Sequence, residues 1–338
     1  MLKNPYCCPL SKENLRMVDT GLVGVNGTHY PFLKAESENK IPVFIDEKML
    51  TGKDKISQVM YKKDNAETVY ENFLAWLFDT FKQDEISFRN ALVEKLNLKE
   101  GDRVLVTGCG LGDDIKCISP RIGSTGELFA QDISDLMVVA TARRLTEVDD
   151  FQVKMNNLYL SVSNASMLPY QDSFFDAAYH FGGINLFSDI KSAIHEMERV
   201  VKVGGKVVIG DEGVAPWLKE KEYGKVAICN NKLWALDAPL SLLPETVSNV
   251  HLTWVLGNCF YIIDFEVSDS PPLMDIDVPH KGSRGGSMRK RYFGQLEGID
   301  PDIKEKVWLA ASTAETSASA WVEQIISKTI ADGESIKK

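Results

Sequence analysis

The stretch Gly101-Asp-Arg-Val-Leu-Val-Thr-Gly-Cys-Gly-Leu-Gly112 decides the fold. Val104-Leu-Val106 is a short apolar run of the kind that forms a buried strand. It breaks at Gly108-x-Gly110-x-Gly112 and runs into a helical pattern. A glycine-rich turn between strand and helix lets a ligand approach bare backbone, and it aims helix N–H groups at polar ligand atoms. A second strand, Glu127-Leu-Phe-Ala-Gln131, ends at Asp132, twenty residues beyond Gly112. An acid at that place holds ribose hydroxyls. Together the two signals imply a nucleoside-bearing cofactor. A dinucleotide fingerprint would set its last glycine three places after the second, and here that place is Asp113. A carboxylate at the turn repels a pyrophosphate, which disfavours NAD and FAD.

Composition narrows the class further. With 44% hydrophobic and 25% charged residues in 338, the chain has the make-up of a soluble globular protein. It contains no apolar run near the roughly 20 residues that span a membrane, and Met1-Leu-Lys-Asn-Pro-Tyr-Cys-Cys8 lacks a signal-peptide core, so a cytoplasmic location is expected. A net charge of −10 disfavours a nucleic-acid partner. Cys7, Cys8, Cys109, Cys117, Cys229 and Cys259 are scattered without a Cys-x-x-Cys pair, so they read as reduced, buried thiols and no metal site is expected.

Residues 1–50 read as a small β-rich module, with a turn at Gly24-Val-Asn-Gly27. Residues 51–63 are polar and read as a linker. Over 64–100 the spacing is helical, with Val69, Phe73, Trp76, Leu77 and Phe81 on one stripe and Phe88, Leu92 and Leu96 on another. From 101 the pattern alternates, with strands expected at 103–107, 127–131, 157–162, 174–180 and 205–211 and helices between them. That alternation predicts an α/β fold, a doubly wound, mostly parallel sheet. His251–Glu266 reads as a hairpin around Gly257-Asn258, which brings the sheet to seven strands and closes the core at 270. Residues 271–338 form a C-terminal loop and helical extension.

Four segments together resemble the class I S-adenosylmethionine-dependent methyltransferases, and within them the ubiquinone/menaquinone-biosynthesis-like subgroup. They are Val104–Gly112, Gly126–Asp132, Asn164-Ala-Ser-Met-Leu-Pro-Tyr-Gln-Asp-Ser-Phe-Phe-Asp176 and Ala193–Ile209, in the family's order and spacing. The resemblance implies a Rossmann-like methyltransferase that binds S-adenosyl-L-methionine. Gly108, Gly110 and Gly112 would seat its methionine end, Asp132 its ribose, Ile133 its adenine ring, and Asn164 with Ala165 its adenine amine. The family usually has aspartate where this chain has Asn164. It also usually has an acid at Val106, whose contacts would here fall to Asp113 or Asp114. Tyr70, with Tyr61, lies where relatives cover the cofactor with an aromatic, and Phe181 borders it. Val203-Gly-Gly205 matches the turn before the fifth strand. Cys8-Pro-Leu through Ile45 is similar to a small zinc-ribbon module, but its metal ligands are missing, so a degenerate, metal-free ribbon is expected.

The end of the fourth core strand, Ala178-Tyr-His-Phe-Gly-Gly-Ile-Asn-Leu-Phe187, borders the methyl group in this family. His180 is the expected base, since an unperturbed histidine titrates near neutrality. Tyr179 and Asn185 are the other catalytic candidates. In His280–Tyr292, five basic residues alternate with glycine and serine, and Arg284, Arg289 and Arg291 are candidates to hold an anionic substrate. The expected activity is methyl transfer to a small or medium, anionic organic molecule. An RNA or translation-protein methyltransferase and a non-catalytic cofactor-binding protein stay open as alternatives. The oligomeric state is open, with a homodimer allowed.

Overall fold

The computed structural model describes residues 5–33, 40–48, 50–63, 65–146, 157–271, 273–279, 287–292 and 299–335. The chain divides into two compact units, Met1–Pro272 and Leu273–Lys338. The first opens with three short antiparallel strands, β1 (Arg16–Val18), β2 (Gly21–Val23) and β3 (His29–Pro31). The turn at Gly24–Gly27 closes through Gly27 N–H donating to Gly24 O at 3.0 Å. This segment is tied to the large sheet: Phe44 N–H donates to Val162 O at 2.8 Å, and Cys7 N–H to Pro169 O at 2.9 Å. The ribbon resemblance itself rests on sequence alone.

Residues 51–63 are not a linker. They carry helix α1 (Gly52–Met60), whose buried residues are the polar Asp54, Ser57 and Gln58. A hydrophobic-period reading finds no inward face there because that face is polar. Helices α2 (Ala66–Thr80) and α3 (Glu85–Glu94) follow. Asp84 caps α3 by accepting from Ser87 N–H at 2.8 Å, which satisfies one of the helix's free N-terminal donors. The buried stripe of α2 is Ala66, Leu74, Leu77 and Phe78. Val69 and Trp76, expected on the inner stripe, are 56% and 42% exposed.

The core alternates as its sequence pattern requires. It contains β4 (Arg103–Thr107), α4 (Asp113–Ile122), β5 (Glu127–Asp132), α5 (Asp135–Thr146), β6 (Leu158–Val162), β7 (Phe175–Phe181), α6 (Ile190–Val200) and β8 (Val201–Glu212). Helix α7 (Glu222–Asn230) then leads to the hairpin β9 (Val247–Val255) and β10 (Phe260–Val267). Val203-Gly-Gly205 lies inside β8 as an irregularity, where the pairing with β7 shifts, rather than before the strand. The strand order is β6-β5-β4-β7-β8-β10-β9, parallel through β8 and antiparallel beyond it. This is a Rossmann-like α/β sheet. Side chains alternate between two apolar layers: Val104 and Val106 enter one with Leu77, Leu92 and Ile118, and Leu105 enters the other with Ile194, Met197 and Leu22.

The winding direction reverses at β4, which has β5 on one side and β7 on the other. In open α/β sheets a ligand crevice forms outside the carboxyl ends of the strands at such a switch point. The second unit contains α8 (Met288–Tyr292), α9 (Pro301–Thr313) and α10 (Ala318–Ser335), with Tyr292 stacked on Trp308 at 5.4 Å. Among the described residues no helix is long and apolar enough to cross a membrane. Five of the cysteines are buried, but Cys229 is exposed.

Candidate active site

A cavity of about 560 Å³ opens at the switch point. Its lining crosses the sheet along the carboxyl ends of the strands. Asn164 and Ala165 stand beyond β6, Asp132 and Ile133 at the end of β5, and Gly108 and Gly110 beyond β4. His180 and Phe181 end β7, Glu212 ends β8, and Phe260 begins the antiparallel β10 at the same edge. Helices α1 and α2 contribute Asp54, Tyr70, Phe73, Leu74 and Leu77.

The glycine turn needs its glycines for stated reasons. Gly108 has φ +62°, and a Cβ there would stand 3.1 Å from His180 Cε1. Gly110 has φ +53° and its N–H donates to Asp132 Oδ2 at 3.1 Å. Gly112 has a different part from the one expected. It does not line the cavity; a Cβ there would meet Thr141 Cγ2 at 3.0 Å, so it permits the packing of α4 on α5.

Asp132 is 8% exposed, and its other oxygen accepts from Ser134 N–H at 2.9 Å. Burial pushes its carboxyl above the usual carboxylate range, against the backbone N–H groups of Ser134, Gly110 and Ile133 that pull it down. A buried carboxylate in that state has acceptor capacity left over, and two further donors would relieve it. Asn164 is already occupied: Oδ1 accepts from Ser166 N–H at 2.9 Å and Nδ2 donates to Asp54 Oδ2 at 3.0 Å.

His180 lines the cavity but is not the near-neutral base that its position led us to expect. Its Nδ1 lies 2.9 Å from Thr107 O and 3.1 Å from Thr107 Oγ1. Among the described residues its buried Nε2 has no hydrogen-bond partner. Burial lowers its pKa to about 4, outweighing the Thr107 carbonyl, so the ring is neutral at pH 7 and serves best as a hydrogen-bond acceptor at Nε2. The sign for stability follows. Between the unfolded value of about 6.5 and the folded value of about 4, the unfolded chain binds more protons, so stability falls as pH falls through that window. We expect thermal melts of His180→Gln to lose between about 1 and 3 kcal/mol of that acid dependence. An unchanged slope between these pH values would show that His180 is not held neutral.

Tyr179 and Asn185 do not line the cavity. Tyr179 lies one residue short of the strand mouth, fully buried, and its hydroxyl donates to Asp114 Oδ1 at 3.1 Å. Asp114 is held further by Arg89 at 2.8 Å, and Asp113 by Lys116 and Arg144, each at 3.3 Å. Neither acid lines the cavity in place of the one missing at Val106. Asn185 is 2% exposed; its N–H donates to Asp211 Oδ2 at 2.6 Å and its Nδ2 to Glu212 O at 2.8 Å. It positions the end of β8. Arg284 and the side chain of Arg291 lie outside the described residues. Arg289 is exposed and pairs with Asp277 at 2.7 and 2.9 Å.

Glu212 escaped the sequence reading. Its signal was available: an acid ending a core strand, as Asp132 does. It faces the cavity, 3.4 Å from Asn231 Nδ2. Burial and the neighbouring Asp211 charge push its carboxyl well above the usual range. Asp211 accepts from the N–H groups of Gly183, Asn185 and Glu212, at 3.1, 2.6 and 2.8 Å. Those donors keep the negative charge on Asp211, so Glu212 is the member that carries the proton near neutrality.

Residues 53–214 match the model of the ubiE/COQ5 methyltransferase family. The demethylmenaquinone methyltransferase of Oceanobacillus iheyensis is 30% identical over 152 residues, 44% of this chain and 61% of that protein. The ubiquinone/menaquinone biosynthesis C-methyltransferase UbiE of Coxiella burnetii is 32% identical over 122 residues, 36% of this chain and 47% of that protein. The chain thus spans about three fifths or less of these relatives' lengths. A solved Haemonchus contortus phosphoethanolamine N-methyltransferase 2 in complex with S-adenosyl-L-methionine overlays with a TM-score of 0.48 at 13% identity, covering 65% of this chain and 60% of that one. The residues present fit S-adenosylmethionine: bare backbone at Gly108 and Gly110, under-satisfied Asp132, and apolar Ile133 beside Ala165.

Proposed function

We propose that this chain transfers a methyl group from S-adenosylmethionine to a small or medium, largely apolar acceptor whose nucleophilic centre carries a dissociable proton. The carrying observation is one cavity lined by Asp132 and the glycine turn at the ends of β5 and β4, by Glu212 at the end of β8 opposite Phe260, and by the apolar Phe73, Leu74, Leu77, Phe181 and Leu233. Bound there, S-adenosylmethionine supplies an activated methyl on a sulfonium. Gly108 and Gly110 orient its amino-acid end, Asp132 its ribose. His180 offers a neutral acceptor at Nε2. The aromatic and leucine wall excludes water and aligns the acceptor. Glu212, once ionised, takes the acceptor's proton at a carboxylate oxygen. Asn185 and Asp211 hold that acid in place.

The relatives named for demethylmenaquinone and for ubiquinone/menaquinone biosynthesis support a ring-shaped apolar acceptor. The anionic-acceptor reading has less behind it, because Arg289 is already paired with Asp277. The net charge of −10 supports a small molecule over nucleic acid. Titration calorimetry with S-adenosylmethionine, followed by a radiolabelled-methyl assay on a short-chain demethylmenaquinol, tests the proposal. Absence of cofactor binding would sink it. Cofactor binding with no transfer to any apolar acceptor would favour the non-catalytic alternative.

A further inference from the structure

We propose that Asp54 on α1, rather than residue 164, reads the exocyclic amine of the cofactor's adenine. This rests on S-adenosylmethionine occupying the cavity.

Across the sheet, the lining runs from the glycine turn beyond β4, through Asp132 and Ile133 after β5, to Asn164 and Ala165 after β6. A nucleoside whose ribose meets Asp132 carries its base toward β6. Asp54 lines that part of the cavity and is 9% exposed. The amine is a donor and needs an acceptor. Asn164 offers only a neutral amide oxygen, one of whose two lone pairs Ser166 N–H takes, whereas a carboxylate is the stronger acceptor. Its Nδ2 faces Asp54 Oδ2 at 3.0 Å, so the amide hands the polarity on to the carboxylate behind it. Asp54 Oδ1 accepts from Ser188 N–H at 2.8 Å. Both of these partners are neutral N–H donors, and an ionised carboxylate has about four lone-pair sites. Acceptor capacity therefore remains on a buried charge at the cavity wall. The acid expected at 164 by resemblance is supplied one hydrogen bond away, from a helix that precedes the core.

The test is titration calorimetry with S-adenosylhomocysteine and with S-inosylhomocysteine, which has a carbonyl where adenine has its amine. A site that hydrogen-bonds an N–H group rejects the analogue lacking it, so the wild-type chain should prefer S-adenosylhomocysteine by at least about tenfold. Asp54→Asn should erase that preference by weakening S-adenosylhomocysteine about tenfold with little change for the inosyl compound. The same substitution also sets two amide NH₂ groups against each other, its own and that of Asn164. The double variant Asp54→Asn/Asn164→Asp reverses that pair and returns a carboxylate to the wall, so it should restore the preference to within about threefold. Equal weakening of both ligands by Asp54→Asn would make the residue a mere anchor of α1 and overturn the proposal. So would no effect, or a double variant no better than the single. Failure of the wild-type chain to bind either ligand would instead overturn the cofactor reading.

Discussion

Replacing Glu212 by glutamine is expected to lower kcat for methyl transfer by about 10²- to 10⁴-fold, the usual range for losing a positioned general base. S-adenosylhomocysteine affinity should stay within about threefold, because Glu212 ends β8, away from the strands that carry Asp132 and Asn164. The pH profile separates this from a packing defect. Burial, then the Asp211 charge, push Glu212 up to about 8. The base form therefore grows as pH rises, and kcat/KM should climb through about pH 8 in the wild-type chain and lose that limb in Glu212→Gln. Stability moves the opposite way. Between the unfolded value of about 4.3 and the folded value of about 8, the folded chain holds the extra proton, so wild-type stability declines with rising pH. Glu212→Gln should flatten that decline and melt higher than wild type at pH 9. Unchanged kcat with an unchanged pH limb would remove Glu212 from the chemistry.

The glycine turn and Asp132 were legible in the sequence because local backbone chemistry dictates them. A strand that breaks into glycines, then a second strand ending in an acid, has few structural alternatives. The core strands were legible for a similar reason, being short apolar runs with turn punctuation. What escaped was set by tertiary context. Helix α1 reads as a polar linker because its buried face is Asp54, Ser57 and Gln58, and only the tertiary partners explain why Asp54, held by Ser188 and Asn164, and Ser57, donating to Leu186 O, point inward. The stripe on α2 was right at Leu77, which is buried, and misplaced at Val69, which borders the cavity and stays exposed, and at Trp76, which is also exposed. His180 was given an ordinary histidine pKa, and nothing in the sequence states the burial that removes it. Tyr179 and Asn185 sit within a few residues of the strand mouth, where a sequence cannot say which side chains reach the cavity. Glu212 is adjacent to Asp211, and only the three backbone donors on Asp211 reveal which of the two keeps the proton.

Asp132→Ala should weaken S-adenosylhomocysteine binding by about 10²- to 10⁴-fold. Two hydrogen bonds from ribose hydroxyls to a buried carboxylate are worth about 1.5–3 kcal/mol each, and each 1.4 kcal/mol is a decade in Kd. The effect on fold stability should be much smaller, because two opposed terms nearly offset. Alanine abolishes a buried charge that burial itself disfavours, but it also frees Gly110 N–H and Ser134 N–H, which now donate at 3.1 and 2.9 Å. The loss of the Gly110 contact matters for binding too, since it pins the turn at φ +53° against which the ligand would lie. Asp132→Asn discriminates between these effects. It keeps one acceptor oxygen and the side-chain shape, so it should retain part of the turn's anchoring while losing the charge-assisted ribose contacts. Its affinity should fall between those of wild type and Asp132→Ala. Calorimetry on all three, with thermal melts as the folding control, reads the result. If a folded Asp132→Ala binds as tightly as wild type, the ribose is held elsewhere. If Asp132→Asn is as weak as Asp132→Ala, the charge, not the pinned turn, carries the affinity.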